Sequence, residues 1–457
     1  MTDNPTTEEP SLDARFAASM GRLLGPDFPT DIGLAVSGGG DSMAMLYLAH
    51  NWTRVWGLRL WVCTVDHGLR PEAAAEAEMV AATCARLGWP HAKLRWSWNG
   101  KGNVMDRARQ GRLECIDQWR GDLRHVLMAH TQDDVAETFL MRLARGSGVD
   151  GLAAMRASRE IHLPYTPRTN SPPVLGKLPP EKGRRTPSYH VVRPLLDVSR
   201  SDLRHYLKVL HGPWVEDPTN TDPTYERARI RSRIAGLEAD GLGATRLAET
   251  AQRMARVSQA LAARTLAVWQ ALGQEDRQTG DLLLARDAFA CVERETQLRL
   301  LSASLQHVAG GGYPPREAPL EALLDLLLAG GAGTLHGCEA VTERAHIRIF
   351  REYAAVAALR TAVAEGALWD GRWSVHWHET LPESEIRALG HDGWVQAGEK
   401  PVSAPSYRAA RSLPALWQGE RLVACSAIGF GPDDGLRLTP KGRLWTLHDV
   451  LMQKTGP

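Results

Sequence analysis

Residues 32–42, IGLAVSGGGDS, decide the fold. A short apolar run from Ile32 to Val36 stops at Ser37, three glycines, Asp41 and Ser42, and a helical pattern from Met43 to Trp52 follows at once. Strand, glycine turn and helix in this order form an arrangement that holds a phosphate. Glycines reach backbone conformations with φ > 0 and leave no side chain between the amides and an anion. The helix that opens at Ser42 aims its free N–H groups and its dipole at the same point. A glycine turn in some other βα unit is the plain alternative, but the order Ser37, Gly38, Gly39, Gly40, Asp41, Ser42 is far more restrictive than a bare glycine cluster. A Walker loop is excluded, because it needs Lys-Ser or Lys-Thr after the last glycine. A carboxylate beside phosphates calls for a metal between them, or for another task for the acid.

Outward from this stretch, apolar and β-branched runs at 60–67, 91–96, 125–130 and 191–196 read as strands. Helical patterns alternate with them at 14–24, 72–87, 103–119 and 133–145, and Ser199 caps another that runs to about Leu210. This alternation implies an α/β fold with a doubly wound parallel sheet, covered on both faces. Ligands of such sheets bind beyond the carboxyl ends of the strands, where the loops carrying Ser37, Asp66 and His130 can meet. Between Arg156 and Arg193 the pattern breaks into a proline-rich insertion with eight Lys or Arg against two acids. It reads either as a solvated insertion or as a mobile basic loop that touches RNA phosphate.

Beyond Gly243 the chain reads as strongly helical to about Leu272, breaks at the polar stretch GQEDRQTG, and is helical again from Cys291 to Val308 and from Leu320 to Leu328; a small β segment at 334–351 and short alternating runs from Trp369 onward follow. The expected domains are an α/β domain at 1–215, a mainly helical domain at 216–360 and a small β-rich module at 366–457. A chain of 457 residues with 43% apolar content supports two or three cores. The net charge of +1 means that any nucleic-acid surface is a local patch. None of the six cysteines forms a CxxC pair, which argues for a reducing compartment and against structural zinc or an iron–sulfur cluster. The first ten residues are polar and acidic, unlike a signal peptide, and no apolar run reaches the ~20 residues of a membrane span. The expectation is a cytoplasmic protein with no membrane partner.

Three further groups carry chemistry. Asp66, His67 and Gly68 close the second strand, as a plain strand-to-helix turn or as a contact to nucleotide. Asp133, Asp134 and Glu137 open a helix, and Asp134 and Glu137, three apart, share a face. Acids there often only complement the helix dipole; across from a phosphate loop they could hold Mg²⁺ or a substrate amine. His130 is a candidate polar contact to nucleotide or a satisfied structural histidine. Arg109 and Arg112, also three apart, lie on a helix where one of them could offset charge at an α-phosphate.

The loop SGGGDS resembles the diphosphate loop of the PP-loop, N-type ATP pyrophosphatases, which cleave ATP between the α and β phosphates. VDHGLR, the MDRARQGR helix, AHTQDDVAETFLMRLARGSGVDGLAAM, RPLLDVSRSDLRHYL and EDPTNTDPTYERARIR follow in the order of the tRNA(Ile)-lysidine synthetase family. This resemblance implies ligation of L-lysine to the wobble cytidine of the CAU anticodon of an isoleucine tRNA, through an adenylated cytidine, with release of diphosphate and AMP. It implies that Ser37, Gly38, Gly39, Gly40, Asp41 and Ser42 hold the diphosphate of ATP, with Asp66, His67 and His130 near the nucleotide. Mg²⁺ is expected on Asp41 and Glu137, with Asp133 as a further candidate. Arg109 or Arg112 is expected at the adenylate, and Asp134 at the lysine ammonium. The second and third domains are expected to grip the tRNA. Three departures stand out: Thr131 and Val135 replace a frequent His and Gln, and Ala228 stands where an Asn is usual. The rivals are a tRNA 2-thiolation enzyme on the same loop, an amide ligase such as an NAD or GMP synthetase, and a non-catalytic RNA-binding protein on a PP-loop core.

Overall fold

The computed structural model describes residues 10–68, 72–98, 100, 104–162, 174–181, 186, 188–216, 224, 226–376, 383–432, 435–438 and 446–455, with the backbone alone for Met105. Contacts divide the chain into two compact units, one reaching to Ser258 and the other beginning at Gln259.

The first unit alternates strands and helices as the apolar periodicity demands. Helix α1 (Leu12–Leu24) precedes β1 (Asp31–Ala35), α2 (Gly40–Trp56), β2 (Arg59–Asp66), α3 (Ala73–Leu87), β3 (His91–Arg95), α4 (Val104–Trp119), β4 (His125–Met128) and α5 (Gln132–Leu143). There follow α6 (Val149–Leu152), β5 (Ser158–His162), β6 (Val174–Gly176), β7 (Ser188–Val192), α7 (Arg200–Val209), α8 (Glu226–Leu237) and α9 (Ala244–Leu272), whose residues from Gln259 onward belong to the second unit. One seven-stranded sheet runs in the order β5-β7-β4-β1-β2-β3-β6. The inner five strands are parallel. Their apolar runs supply Ile32, Leu34, Leu60, Val62 and Leu127, all fully buried under helices.

Two features differ from the sequence reading. The sheet is not purely parallel: β5 and β6 close its two edges in antiparallel pairing with β7 and β3. Both arise from the segment whose proline content masked any strand pattern. The fifth parallel strand also spans Ser188–Val192 in place of the expected 191–196, and His130 lies beyond β4, which stops at Met128. The His130 N–H instead donates to the Met128 carbonyl in a tight turn. Part of the basic insertion (163–173, 182–185 and 187) and most of the EDPTNTDPTY turn (217–223 and 225) lie outside the described residues.

Helix α5 packs Val135, Ala136 and Phe139 against Ile230 and Ile234 of α8 and against Leu247, Ala248 and Ala251 of α9. This contact fixes the arginines of α8 beside the acids of α5.

In the second unit, β8 (Gly273–Glu275) and β9 (Leu282–Ala285) form a hairpin from the segment that read as a polar break between helices. Asp276 makes that turn possible, its carboxylate accepting from the N–H groups of Gln278 and Thr279. The hairpin joins β10 (Ala332–Leu335), β11 (Cys338–Thr342) and β12 (His346–Arg351) in one antiparallel sheet. The helices Arg294–Val308 and Glu317–Leu328 share a core with it, and so do Leu447 and Leu451 of the last helix, Leu447–Thr455. Two small antiparallel sheets of four and three strands make up the β-rich part of this unit.

Candidate active site

The glycine loop bridges β1 and α2 and is braced from within. The Ser42 hydroxyl donates to the Gly39 carbonyl at 2.9 Å and accepts from the Ser37 N–H at 3.1 Å. Ser42 therefore shapes the loop, and the Ser37 amide is committed to it. Gly38 sits at φ +88°, a conformation that L side chains rarely adopt, and faces Glu76 and Met79 of α3. Its carbonyl accepts from the Val215 N–H, which pins the loop to the strand-like segment after α7. Gly39 caps α2 without any side-chain hydrogen bond. The first amides of that helix have no partner within it, which is the arrangement that binds an anion.

The acids of α5 are held just as firmly. Thr131 caps the helix in a reciprocal pair with Asp134: the Thr131 N–H and hydroxyl donate to Asp134 Oδ2 at 2.9 and 3.0 Å, and the Asp134 N–H donates back at 3.4 Å. This cap is the physical role of Thr131, one of the departures noted in the sequence. Asp134 Oδ1 is left to face the site.

Arg200, the first residue of α7, joins the loop to these acids. Its Nε donates to Asp41 Oδ2 at 3.1 Å, Nη2 to Asp134 Oδ1 at 3.3 Å and Nη1 to Glu137 Oε1 at 3.3 Å. Its backbone N–H donates to Asp133 Oδ2 at 2.8 Å. Arg231 of α8 donates through Nε to Glu137 Oε1 at 2.9 Å, and Arg227 approaches Asp134 at 3.8 Å. Asp41, Asp134 and Glu137 thus converge on one guanidinium, and Asp133 on the backbone N–H of the same residue. Among the described residues no three acidic, histidine or cysteine side chains come together as a ready metal set. Glu137 Oε2 is nevertheless buried with no hydrogen-bond partner. An orphaned carboxylate oxygen within an all-oxygen donor set fits a hard divalent cation such as Mg²⁺.

Electrostatics follow from this packing. Burial pushes the Asp41 carboxyl up and Asp134 and Asp133 add to that, outweighing the pull of Arg200. For Asp134 burial also pushes upward, but Arg200, His130 and the Thr131 N–H together bring it below the usual carboxylate range. Arg200 is held charged, its burial outweighed by Asp134, Asp41 and Glu137.

A second, cationic cluster flanks the first. Arg193, at the end of β7, donates from Nε to His130 Nδ1 at 3.2 Å and from Nη1 to the Arg156 carbonyl at 2.8 Å. Burial and the charges of Arg159, Arg112 and Arg109 push Arg193 down to about 10. Burial, with Arg193 beside it, pushes His130 down to about 3, so the ring is neutral and its Nδ1 accepts. Burial, then Arg109 and Arg227, lower Arg112. Arg109 itself is exposed. Crowded arginines with depressed pKa values mark a place for an anion. His67 is pushed down to about 4 by burial and Arg112, its Nδ1 buried without a partner, and its ring meets Trp96 edge-on at 5.6 Å. Asp66 accepts from the Gly68 N–H at 2.8 Å, the plain turn role considered above.

The structure therefore brings together Asp41, Asp133, Asp134 and Glu137, and it places His130 and Arg112 in one electrostatic neighbourhood. Arg193, Arg200, Arg227 and Arg231 were not assigned a role from sequence. The signal was present: Arg193 and Arg200 bracket RPLLDVSR, and Arg227 and Arg231 lie on one face of α8.

A family model described as a PP-loop domain matches residues 12–238. A tRNA(Ile)-lysidine synthase of Ruegeria pomeroyi is 38% identical over 405 residues, covering 88% of this chain and 90% of the relative. The chain belongs to the tRNA(Ile)-lysidine synthase family. Proteins of the same name from Hyphomonas neptunium and Wolbachia pipientis wMel are 35% and 32% identical, over 73% and 76% of this chain and 85% and 77% of their own lengths. Members of the tRNA(Ile)-lysidine synthase family are ATP-utilising ligases built on the PP-loop, so the α/β reading of the first unit and the enzyme class both hold. No helix of the described residues is long and apolar enough to cross a membrane.

Proposed function

We propose that this chain ligates L-lysine to the wobble cytidine of an isoleucine tRNA with a CAU anticodon, at the expense of ATP. The observation that carries this reading is the convergence of the glycine loop, the α5 acids and Arg200 on one end of the sheet, in a chain of this family.

In this reading the amides of Gly39, Gly40, Asp41 and Ser42 hold the departing diphosphate, and the helix dipole of α2 favours its charge. The cytosine 2-oxo oxygen attacks the α-phosphorus, and the bond to the β-phosphate breaks. Arg112 and Arg193 offset the charge that develops there, with Arg109 as the alternative partner at the exposed rim. Asp41 and Glu137, with Asp133 as a third candidate, would hold Mg²⁺, which would supply charge neutralisation at the phosphates. Asp134 Oδ1 pairs with the lysine ammonium. The amine, once deprotonated, attacks the activated carbon, and AMP leaves. Neutral His67 and His130 line the nucleotide site. The segments 216–360 and 366–457 carry the tRNA contacts. Unstacked anticodon bases are the natural target, because the deep major groove of A-form RNA is hard to read. A sulfur-transfer reading lacks any CxxC pair to carry it.

The test is incorporation of labelled lysine into that tRNA in the presence of ATP and Mg²⁺. Incorporation is expected to need all three. Activity with sulfide or ammonia instead of lysine would overturn the proposal.

A further inference from the structure

Arg200 occupies the position that any other cation at this site would need. Its three nitrogens reach three different carboxylates, Asp41, Asp134 and Glu137, and its main chain holds a fourth, Asp133. Arg231 and Arg227 complete the cluster. Four carboxylates against three guanidiniums leave one net negative charge. A divalent ion added with Arg200 in place makes the cluster net positive and sets two cations within a few ångströms of each other, where repulsion is strong at low effective dielectric. Without Arg200 the cluster carries two net negative charges, which match a divalent ion. The Glu137 side chain is 1% exposed and keeps one oxygen without a partner, so the pocket retains donor capacity that the arginines do not use.

We propose that Arg200 is an internal cation that keeps the Asp41–Asp134–Glu137 cluster closed to free divalent metal until nucleotide is bound. The polyphosphate supplies the negative charge that lets metal and guanidinium coexist: Arg200 turns from the carboxylates to phosphate oxygens as metal takes its place. The location of Arg200 supports such a swing. It is the first residue of α7, its backbone is fixed by the Asp133 carboxylate, its Nε already reaches Asp41 of the glycine loop, and its side chain is 15% exposed. The inference rests on the proposed assignment of the carboxylates to metal and lysine. It concerns the order in which the site fills, not the reaction itself.

The experiment uses the full chain without ATP, lysine or tRNA, and Mn²⁺ as the probe, followed by the loss of its free-ion electron paramagnetic resonance signal. Arg200→Met is expected to bind Mn²⁺ at least tenfold more tightly than the unmodified chain. Adding Glu137→Gln to Arg200→Met is expected to abolish that gain. Should Arg200→Met not fold, Arg200→Lys carries the test: a single ammonium cannot reach three carboxylates, and at least a threefold gain is expected. Equal affinity in the variant and the unmodified chain overturns the proposal, and so does a gain that survives the second substitution. Lysine ligation can stand while this fails, and the reverse, because no substrate enters the measurement.

Discussion

Replacing Glu137 by Gln removes one charge and almost no volume. The Glu137 carboxylate is 1% exposed and accepts from Arg231 at 2.9 Å and Arg200 at 3.3 Å through the same oxygen. At an effective dielectric near 20, each such contact is worth about 4 kcal/mol before desolvation. Breaking a buried pair by removing one partner costs about 3–5 kcal/mol. Gln keeps an acceptor toward both guanidiniums, and the Arg231 side chain is 34% exposed, so its share is screened. The net loss is therefore about 2–3 kcal/mol, most of it through Arg200. For a unit of this size that lowers the midpoint of thermal unfolding by roughly 5–10 °C. The same contacts tie α5 to α7 and α8, so the loss should appear in the transition of the first unit, read by calorimetry. Lysine incorporation should fall by about a hundredfold or more even well below the transition, because the orphaned Oε2 is also lost as an anionic donor. A midpoint unchanged to about 1 °C, with near-normal incorporation, would refute both the cluster energetics and the role of Glu137.

Asp134→Asn should raise the KM for lysine by about a hundredfold while diphosphate release with tRNA falls far less, since one charge-assisted contact is worth about 3 kcal/mol; equal losses in both steps would count against the ammonium role. Because the Asp134 pKa is depressed in the fold, its stabilisation is complete above the ordinary carboxylate pKa and is lost as pH falls through the folded value. The stability gap between the unmodified chain and Asp134→Asn should therefore narrow on acidification below about pH 4, read from urea midpoints at each pH. Arg120→Met removes a fully buried guanidinium that donates to Asp117 and to the carbonyls of Leu123 and Thr186, and should cost about 3–5 kcal/mol with activity per folded molecule retained. Gly111→Ala places a methyl group against the indole of Trp96, which abuts His67; it should cost about 1–3 kcal/mol and weaken ATP binding, measured by equilibrium dialysis.

The order of strands and helices in the first unit was legible because its pattern is local: a buried strand writes an apolar run, and a capped helix writes Ser199 or Thr131 before its first turn. The glycine loop was legible for the same reason, since the residues that shape it are neighbours in sequence. The edge strands β5 and β6 were not, because a short edge strand buries little and writes no period. The β8–β9 hairpin was missed because its turn is built by Asp276 and its apolar face is paid back only by a distant core.

By itself the sequence determined the α/β core, the glycine loop and the family, and it nominated Asp41, Asp133, Asp134 and Glu137, besides Asp66, for the site. Only the tertiary structure decided what those acids face. Asp41 lies 159 residues from Arg200, and Glu137 lies 94 from Arg231. Charges so far apart in the chain meet only when the sheet order sets β1 beside β4 and the α5–α8 contact turns one helix face to another. Spacing along the chain could name the carboxylates as ligands in search of a cation; packing supplied the arginine that already fills that need.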